Sequence, residues 1–350
     1  MVWLLLAGST APVVQRRFTM KAYKKLVAMA VSVIVLVGLG AGCATGGPAN
    51  VGDDAEVINM DLALEMIPLD KGPAMFEMKM PTAPGDKAKS NEKAIIDYSN
   101  TSDGYVMVKY LQKTDKQLRV RVTGPSGVPY VYTLKSNGEY EVYPLSDGSG
   151  AYTISVHEHI EGDLYSTSNS IKDQMVTLKD EFAPFLRPNQ YVNFTPESKT
   201  VAKANELVSG VSDFTGKISA VYNYVISNLS YDRELAADIT SGKVKSGYLP
   251  DVDAVLEKGK GICFDYSAVM TAMLRSQGIP TKLVVGYAGT AYHAWINVYS
   301  EKDGWINNVI YFDGESWKLM DPTFASGGNQ SDAIMQYIGD GANYTERYLY

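Results

Sequence analysis

Hydrophobic and polar positions recur with two different periods along the chain, and the change of period divides it. From Ile95 to about Leu178, short runs rich in β-branched and tyrosine residues are separated by turn-forming tetrapeptides and pentapeptides. The runs are AIIDYSN, GYVMVKYL, QLRVRVTG, YVYTLK, EYEVYPL, AYTISVHEH and QMVTLKD. In QLRVRV, Leu118, Val120 and Val122 fall on one face and Arg119 and Arg121 on the other, the two-residue period of a half-buried strand. Gly-Pro-Ser-Gly, Ser-Asn-Gly-Glu and Ser-Asp-Gly-Ser-Gly between runs supply the turns. Phe182 to Thr200 carries three prolines and reads as a connector. Beyond it the period lengthens: Ile218, Val221, Tyr222, Val225 and Leu229 recur at helical spacing. A loop is expected from Ala236 to Pro250, then a short helix from Val252 to Lys258.

The fold expected from this pattern is α+β. Residues 94–185 should form an all-β, immunoglobulin-like sandwich, and residues 200–350 a mixed domain. Pro81 to Lys93 is read as a linker, the last part of a tether over residues 44–93. At 350 residues the chain has room for two domains.

The N-terminal pattern differs from both. Lys21, Lys24 and Lys25 precede the uncharged run LVAMAVSVIVLVGLGAGC, Leu26 to Cys43, which is the plan of a secretory signal. The zone around Cys43 resembles a bacterial lipoprotein signal, although Gly40 stands where such signals usually place Leu. That resemblance implies lipid attachment at Cys43 and an extracytoplasmic, membrane-anchored location. An uncleaved membrane anchor is the alternative. Met20 opens a conventional signal, so residues 1–19 read as an extension from a misplaced start.

Charge and composition narrow the chemistry. A net charge of −7 argues against a nucleic-acid partner. Two cysteines cannot make a disulfide scaffold, and three histidines leave little room for a metal site. His157 and His159 share a strand face in SVHEHI, but no cysteine or third histidine accompanies them. No cofactor or metal is expected. With Cys43 lipidated, Cys263 is the one remaining thiol.

Cys263 opens the apolar stretch CFDYSAVMTAML, which Gly278-Ile279-Pro280 stops. It therefore sits at a helix N-terminus, where unpaired N–H groups and the helix dipole favour negative charge. A cysteine inside an element, facing the core, would more simply be packing. Downstream, TKLVVGY and AYHAWINVYS read as paired strands, with His293, Trp295 and Asn297 on one face and Ala294, Ile296 and Val298 on the other. SWKLMDPTF reads as a third strand, carrying Asp321. Asp265 is expected to bond the first turn of the helix.

The phrases GKGICFDYSAVMTAMLRSQGIPTKLVVGY, YHAWINV and WKLMDPTF together resemble the transglutaminase-like superfamily, with Ser267 where Ala is usual. The resemblance covers about Ala202 to Ser331. It implies a papain-like cysteine proteinase fold and a catalytic triad of Cys263 as nucleophile, His293 as general acid/base and Asp321 as its orienter. The activity implied is acyl transfer through a thioester on peptide or protein amides, by peptidase, deamidase or glutamine-transferase chemistry. The partner implied is a peptide or protein, including cell-wall or surface proteins. Tyr231 lies where the family places an aromatic oxyanion donor, and packing alone is its other reading. A non-catalytic surface module that binds peptides through the same fold is the competing reading of the whole chain. Papain-like enzymes keep the order Cys then His but separate the two much further.

Overall fold

In a computed structural model, the described residues are 76–244, 247–289, 291–307, 311–312, 317–318 and 344–350. They lie within the compact unit Leu69–Tyr350. The first eight strands are β1 (Ala88–Ser90), β2 (Ala94–Asp97), β3 (Tyr105–Tyr110), β4 (Leu118–Thr123), β5 (Pro129–Leu134), β6 (Glu141–Pro144), β7 (Gly150–Glu161) and β8 (Leu164–Val176). They form two four-stranded sheets, ordered β1-β2-β3-β6 and β5-β4-β7-β8, with antiparallel pairing throughout. Ile96, Val106 and Val108 of the first sheet and Val120, Ile154 and Val156 of the second belong to one buried core.

The alternation in β4 is as expected, with Leu118, Val120 and Val122 buried. Two features differ from the sequence reading. β1 lies inside the stretch read as linker, paired with β2 through the register Ala88↔Asp97. β8 is a long polar strand, with only its last three residues in the run QMVTLKD. Most of its side chains are exposed or half-exposed, so no apolar alternation marks it. Its long ladder with β7 holds it instead.

Tyr152, near the start of β7, ties the β6–β7 turn together. Its hydroxyl donates to the carbonyls of Gly148 (2.8 Å) and Leu145 (3.1 Å) and accepts from the Asp147 N–H (3.0 Å). At the other end of the sheets, Glu158 is 7% exposed. It receives Lys93 Nζ at 2.9 Å, Lys116 Nζ at 2.5 Å and the Tyr110 hydroxyl at 2.7 Å. These three donors push its carboxyl down to about 2, Lys116 contributing most.

The second half contains α1 (Lys199–Leu207), α2 (Phe214–Asn228), β9 (Ser230–Tyr231), α3 (Arg233–Thr240), α4 (Val252–Lys258), β10 (Lys260–Gly261) and α5 (Cys263–Ser276). After these come β11 (Thr281–Ala288), β12 (Ala291–Ser300), β13 (Gly304–Ile306), β14 (Tyr311–Phe312), β15 (Trp317–Lys318) and β16 (Tyr344–Leu349). The main sheet runs β13-β12-β11-β16. α5 packs on β11 and β12, and α1, α2 and α4 pack around α5. Ile218, Val221, Tyr222 and Val225 of α2 are buried, as their spacing requires.

Three details correct the sequence reading. The expected loop from Ala236 begins inside α3, which Asp232 caps by accepting the Leu235 N–H at 2.9 Å. Trp317 and Lys318 pair with β14 rather than joining the main sheet, where β13 takes the position beside β12. The C-terminal β16 is a sheet member beside β11, a placement local pattern does not encode.

Candidate functional site

α5 starts sharply. Ile262 has extended backbone (φ −94°, ψ 177°), and its N–H donates to Asp265 Oδ2 at 2.8 Å. Asp265 is fully buried and also accepts from the Tyr248 hydroxyl at 2.7 Å. Burial raises the Asp265 carboxyl above its usual value, against the opposing pull of these bonds. Burial likewise raises the Tyr248 phenol, and the Asp265 charge adds to it. A Cβ on Gly261 would stand 2.6 Å from Asp265 Cβ. The spacing Gly261, Cys263, Asp265 thus has a steric cause: the carboxylate that fixes the first turn fills the space a side chain at 261 would need.

The helix is buried along nearly its whole length from Asp265 to Ser276. It ends at Gly278 (φ +76°), where Gly278 and Ile279 donate to the carbonyls of Arg275 and Leu274, each at 3.0 Å. Arg275 is fully buried. It donates to the carbonyl oxygens of Thr281 (2.7 and 2.9 Å), Tyr350 (2.6 Å) and Arg187 (2.6 Å). One guanidinium therefore clamps α5, the start of β11, the connector and the C-terminal strand. Nothing in the sequence pattern marked it.

Cys263 is the first residue of α5, a half-exposed free thiol. The Ser267 hydroxyl donates back to its carbonyl at 2.9 Å. Beside it lies the parallel β9–β10 pair, register Gly261↔Tyr231, closed by the Ser230 N–H to Gly259 and the Asp232 N–H to Gly261. This ladder carries Tyr231 to the mouth of α5. Burial raises the Tyr231 phenol above its usual value, and the charge of Cys263 is the next largest cause.

His293 lies in β12, opposite Gly286 of β11, and is 7% exposed. Alternation puts Trp295 and Asn297 on its face, where Trp295 meets Tyr344 (5.0 Å between rings) and Asn297 donates to Glu346 at 2.6 Å. The His293 ring lies 6.2 Å from Trp295 and 6.3 Å from Tyr344. A Cβ on Gly286 would stand 2.0 Å from the Thr345 carbonyl and 2.8 Å from the Trp295 ring. Glycine there lets β16 and Trp295 close in. Cys263 and His293 lie on packed neighbours, α5 and β12, with His293 on the Trp295 side of β12 and not on the side of Ala294, Ile296 and Val298, which share a core with α5. Asp321 and Cys43 lie outside the described residues.

His157 and His159 hold polar partners of their own, Ser155 Oγ at 2.7 Å and the Gly162 carbonyl at 2.9 Å. Among the described residues, no group of three or more His, Cys, Asp or Glu is placed to hold a metal, and no helix is long and apolar enough to cross a membrane. Cavities of about 460 and 420 Å³ open beside Asn189 and Asp253 and beside Phe182 and Pro280; neither lining includes Cys263.

A half-exposed cysteine heads a buried helix packed on an antiparallel sheet that carries a histidine, as the resemblance in the sequence implies. Residues 201–322 match the family model "Transglutaminase-like superfamily", and this part of the chain is a transglutaminase-like domain. The uncharacterized protein YebA of Bacillus subtilis (strain 168) is 25% identical over 200 residues, 50% of this chain. The chain spans only about a quarter of that curated relative, 26% of its length. Among solved structures, the periplasmic domain of TgpA from Pseudomonas aeruginosa is similar at 14% identity and TM-score 0.29, covering 71% of this chain and 78% of its own. Red sea bream transglutaminase is similar at 15% identity and TM-score 0.24, covering 63% of this chain and 48% of its own.

Proposed function

We propose that the transglutaminase-like domain is a thiol enzyme acting on peptide or protein amides, with Cys263 as nucleophile, His293 as general acid/base and Asp321 as the residue that orients His293. The observation that carries this is the position of Cys263: first residue of a buried helix, its thiol half-exposed. A cysteine kept only for packing has no need of that place.

In the reaction, His293 takes the thiol proton as sulfur attacks the amide carbonyl. The tetrahedral oxyanion is held by the Cys263 N–H and the Tyr231 hydroxyl, which β9 sets beside the helix mouth. The C–N bond breaks, and His293 returns the proton to the leaving amine or ammonia. A thioester remains on Cys263. Water or a second amine then attacks it, giving its proton to His293, which passes it to the departing sulfur. Asp321 fixes the imidazole tautomer and stabilises imidazolium.

The remaining parts of the reading concern delivery. The two N-terminal sheets are an immunoglobulin-like sandwich, supported by their strand order and by Tyr152 bonding back across the turn before its strand. The chain's two domains are this sandwich, residues 94–185 extended by β1 (Ala88–Ser90), and residues 200–350. Cys43 is the lipid-bearing residue, which tethers the enzyme to the outer side of the cytoplasmic membrane near surface or cell-wall peptides. The test is a peptide library offered to the full chain with and without a fluorescent primary amine. Product formation that vanishes in Cys263→Ala is expected, and amine incorporation separates transfer from hydrolysis. Product formed equally by Cys263→Ala contradicts the reading.

A further inference from the structure

The two sheets of the β region meet solvent differently. In β3 of the first sheet Tyr105, Val106, Met107 and Val108 are all buried, so this strand is covered on both faces. In the second sheet β4 alternates. Leu118, Val120 and Val122 are buried, Arg119 is half-buried and Arg121 is exposed. The inner face of this sheet joins the core and its outer face is open. Large apolar side chains lie uncovered on that outer face. Val131, opposite Arg121 in β5, is 51% exposed, and Met175, opposite Ala151 in β8, is 67% exposed.

The charge of the outer face has one sign. Register sets Arg119 beside His157 and Arg121 beside Ser155, as cross-strand neighbours on one face. His157 bonds Ser155 Oγ at 2.7 Å. Burial lowers the pKa of its imidazole, and the Arg121 charge lowers it further. Over β4 and β5, and from Thr153 to His159 of β7, no outward position is Asp or Glu. On β8 a bulge opposite Thr153 exposes Lys172 and Asp173 together, and their charges offset. Among the described residues neither Arg119 nor Arg121 forms a salt bridge. A chain of net charge −7 thus keeps two guanidinium groups on this face without a carboxylate. The free edge of β5 is closed at Thr133. Gln190 Oε1 accepts its N–H at 3.2 Å and its hydroxyl at 3.0 Å, and Gln190 Nε2 donates to its carbonyl at 3.1 Å. A partner therefore meets the face here rather than adding a strand to the edge.

We infer that the outer face of the β5-β4-β7-β8 sheet is a docking surface for an acidic protein segment. Its carboxylates meet Arg119 and Arg121, and its apolar side chains cover Val131 and Met175. The inference goes beyond the thiol chemistry and does not depend on it. Charge complementarity selects the partner, since guanidinium pairs with carboxylate in a directed, charge-assisted way. The uncovered Val131 and Met175 select a protein over a phosphate polymer, which has nothing apolar to lay on them. Arginine and methionine are also the residues that protein interfaces favour.

The test is calorimetric titration of the full chain with a peptide of Glu interspersed with Leu, with its Gln isostere, and with inorganic polyphosphate. The Glu peptide should bind wild type about 10-fold more tightly than Arg119→Gln/Arg121→Gln, the loss expected of two exposed ion pairs. Its affinity for wild type should fall as salt rises, and the Gln isostere should not distinguish the two proteins. Val131→Glu keeps both arginines and changes one exposed side chain. It should also weaken the Glu peptide, and it decides the matter if the double variant misfolds. A Glu peptide bound alike by wild type and the folded variants overturns the proposal. A result in which polyphosphate alone separates wild type from the double variant assigns the face to a phosphate polymer and overturns it as well. So does a wild-type dimer in sedimentation that the double variant dissolves, because the face then serves a second copy of the chain.

Discussion

The two halves of the molecule bury charge for opposite purposes. In the β region, Glu158 is met by three donors drawn from β3, the β1–β2 turn and the segment before β4. Its acceptors are used up, and the group holds strands together without offering anything outward. In the transglutaminase-like domain, Asp265 and Arg275 lie at the two ends of α5 and fix where it starts and stops. What they leave open is the half-exposed Cys263 thiol at the start of the helix. The first arrangement is a lock and the second an aiming device. The difference lies in whether the buried charge saturates itself or fixes a neighbour that stays exposed.

The comparison can be broken most strongly at the aimed residue. Cys263→Ala should abolish product formation, and His293→Ala should lower kcat/KM by at least about 10³-fold, since groups acting as a unit fail together. Neither should move the thermal midpoint of the β region. Next is Arg275→Leu, which takes the guanidinium from the Thr281 and Arg187 carbonyls and one of two donors from the Tyr350 carbonyl, which keeps the Leu283 N–H. It should cost about 3 kcal/mol or more in urea unfolding, with activity lost in proportion to unfolded protein. Gly261→Ala tests the aiming alone. Its Cβ would press on Asp265, so about 1–3 kcal/mol of overpacking is expected, with kcat falling beyond what the stability loss explains.

The lock predicts a pH signature instead. Glu158 has its carboxyl depressed from 4.5 to about 2. A depressed acid contributes stability fully above its unfolded value and loses it as pH falls through the folded one. Wild type should therefore lose thermal stability relative to Glu158→Gln between about pH 4.5 and 2, while the difference stays constant above about pH 5. The smallest effect is expected at the β6–β7 turn. Tyr152→Phe removes a hydroxyl with three backbone partners and should cost about 1–2 kcal/mol, measurable by denaturant titration with activity intact.

What could be seen in the sequence followed from burial that is local in the chain. Leu118, Val120 and Val122, or Ile218, Val221, Tyr222 and Val225, each bury one face of a single element, so periodicity displays them. Cys263 was legible because the start of α5 is marked by its own neighbours, Gly261 and Asp265. β8 and α3 were missed or cut short because neither carries an apolar stripe. β8 is held by its ladder with β7, and no residue of α3 is buried. Arg275, Tyr248 and the place of β16 depend on partners far along the chain. The Tyr248–Asp265 bond spans 17 positions and the Arg275–Tyr350 bond 75, and no local pattern encodes such a meeting.

The central claim is that Cys263 is aimed to react and that His293 activates it. The direct measurement is the rate of iodoacetamide alkylation at Cys263 between about pH 5 and 8, the range in which an imidazole changes charge, in wild type and His293→Ala. The account predicts a wild-type rate above that of an ordinary free thiol at the acid end, collapsing to the ordinary rate in His293→Ala. A rate indistinguishable from a simple thiol, and unchanged by the substitution, would contradict it.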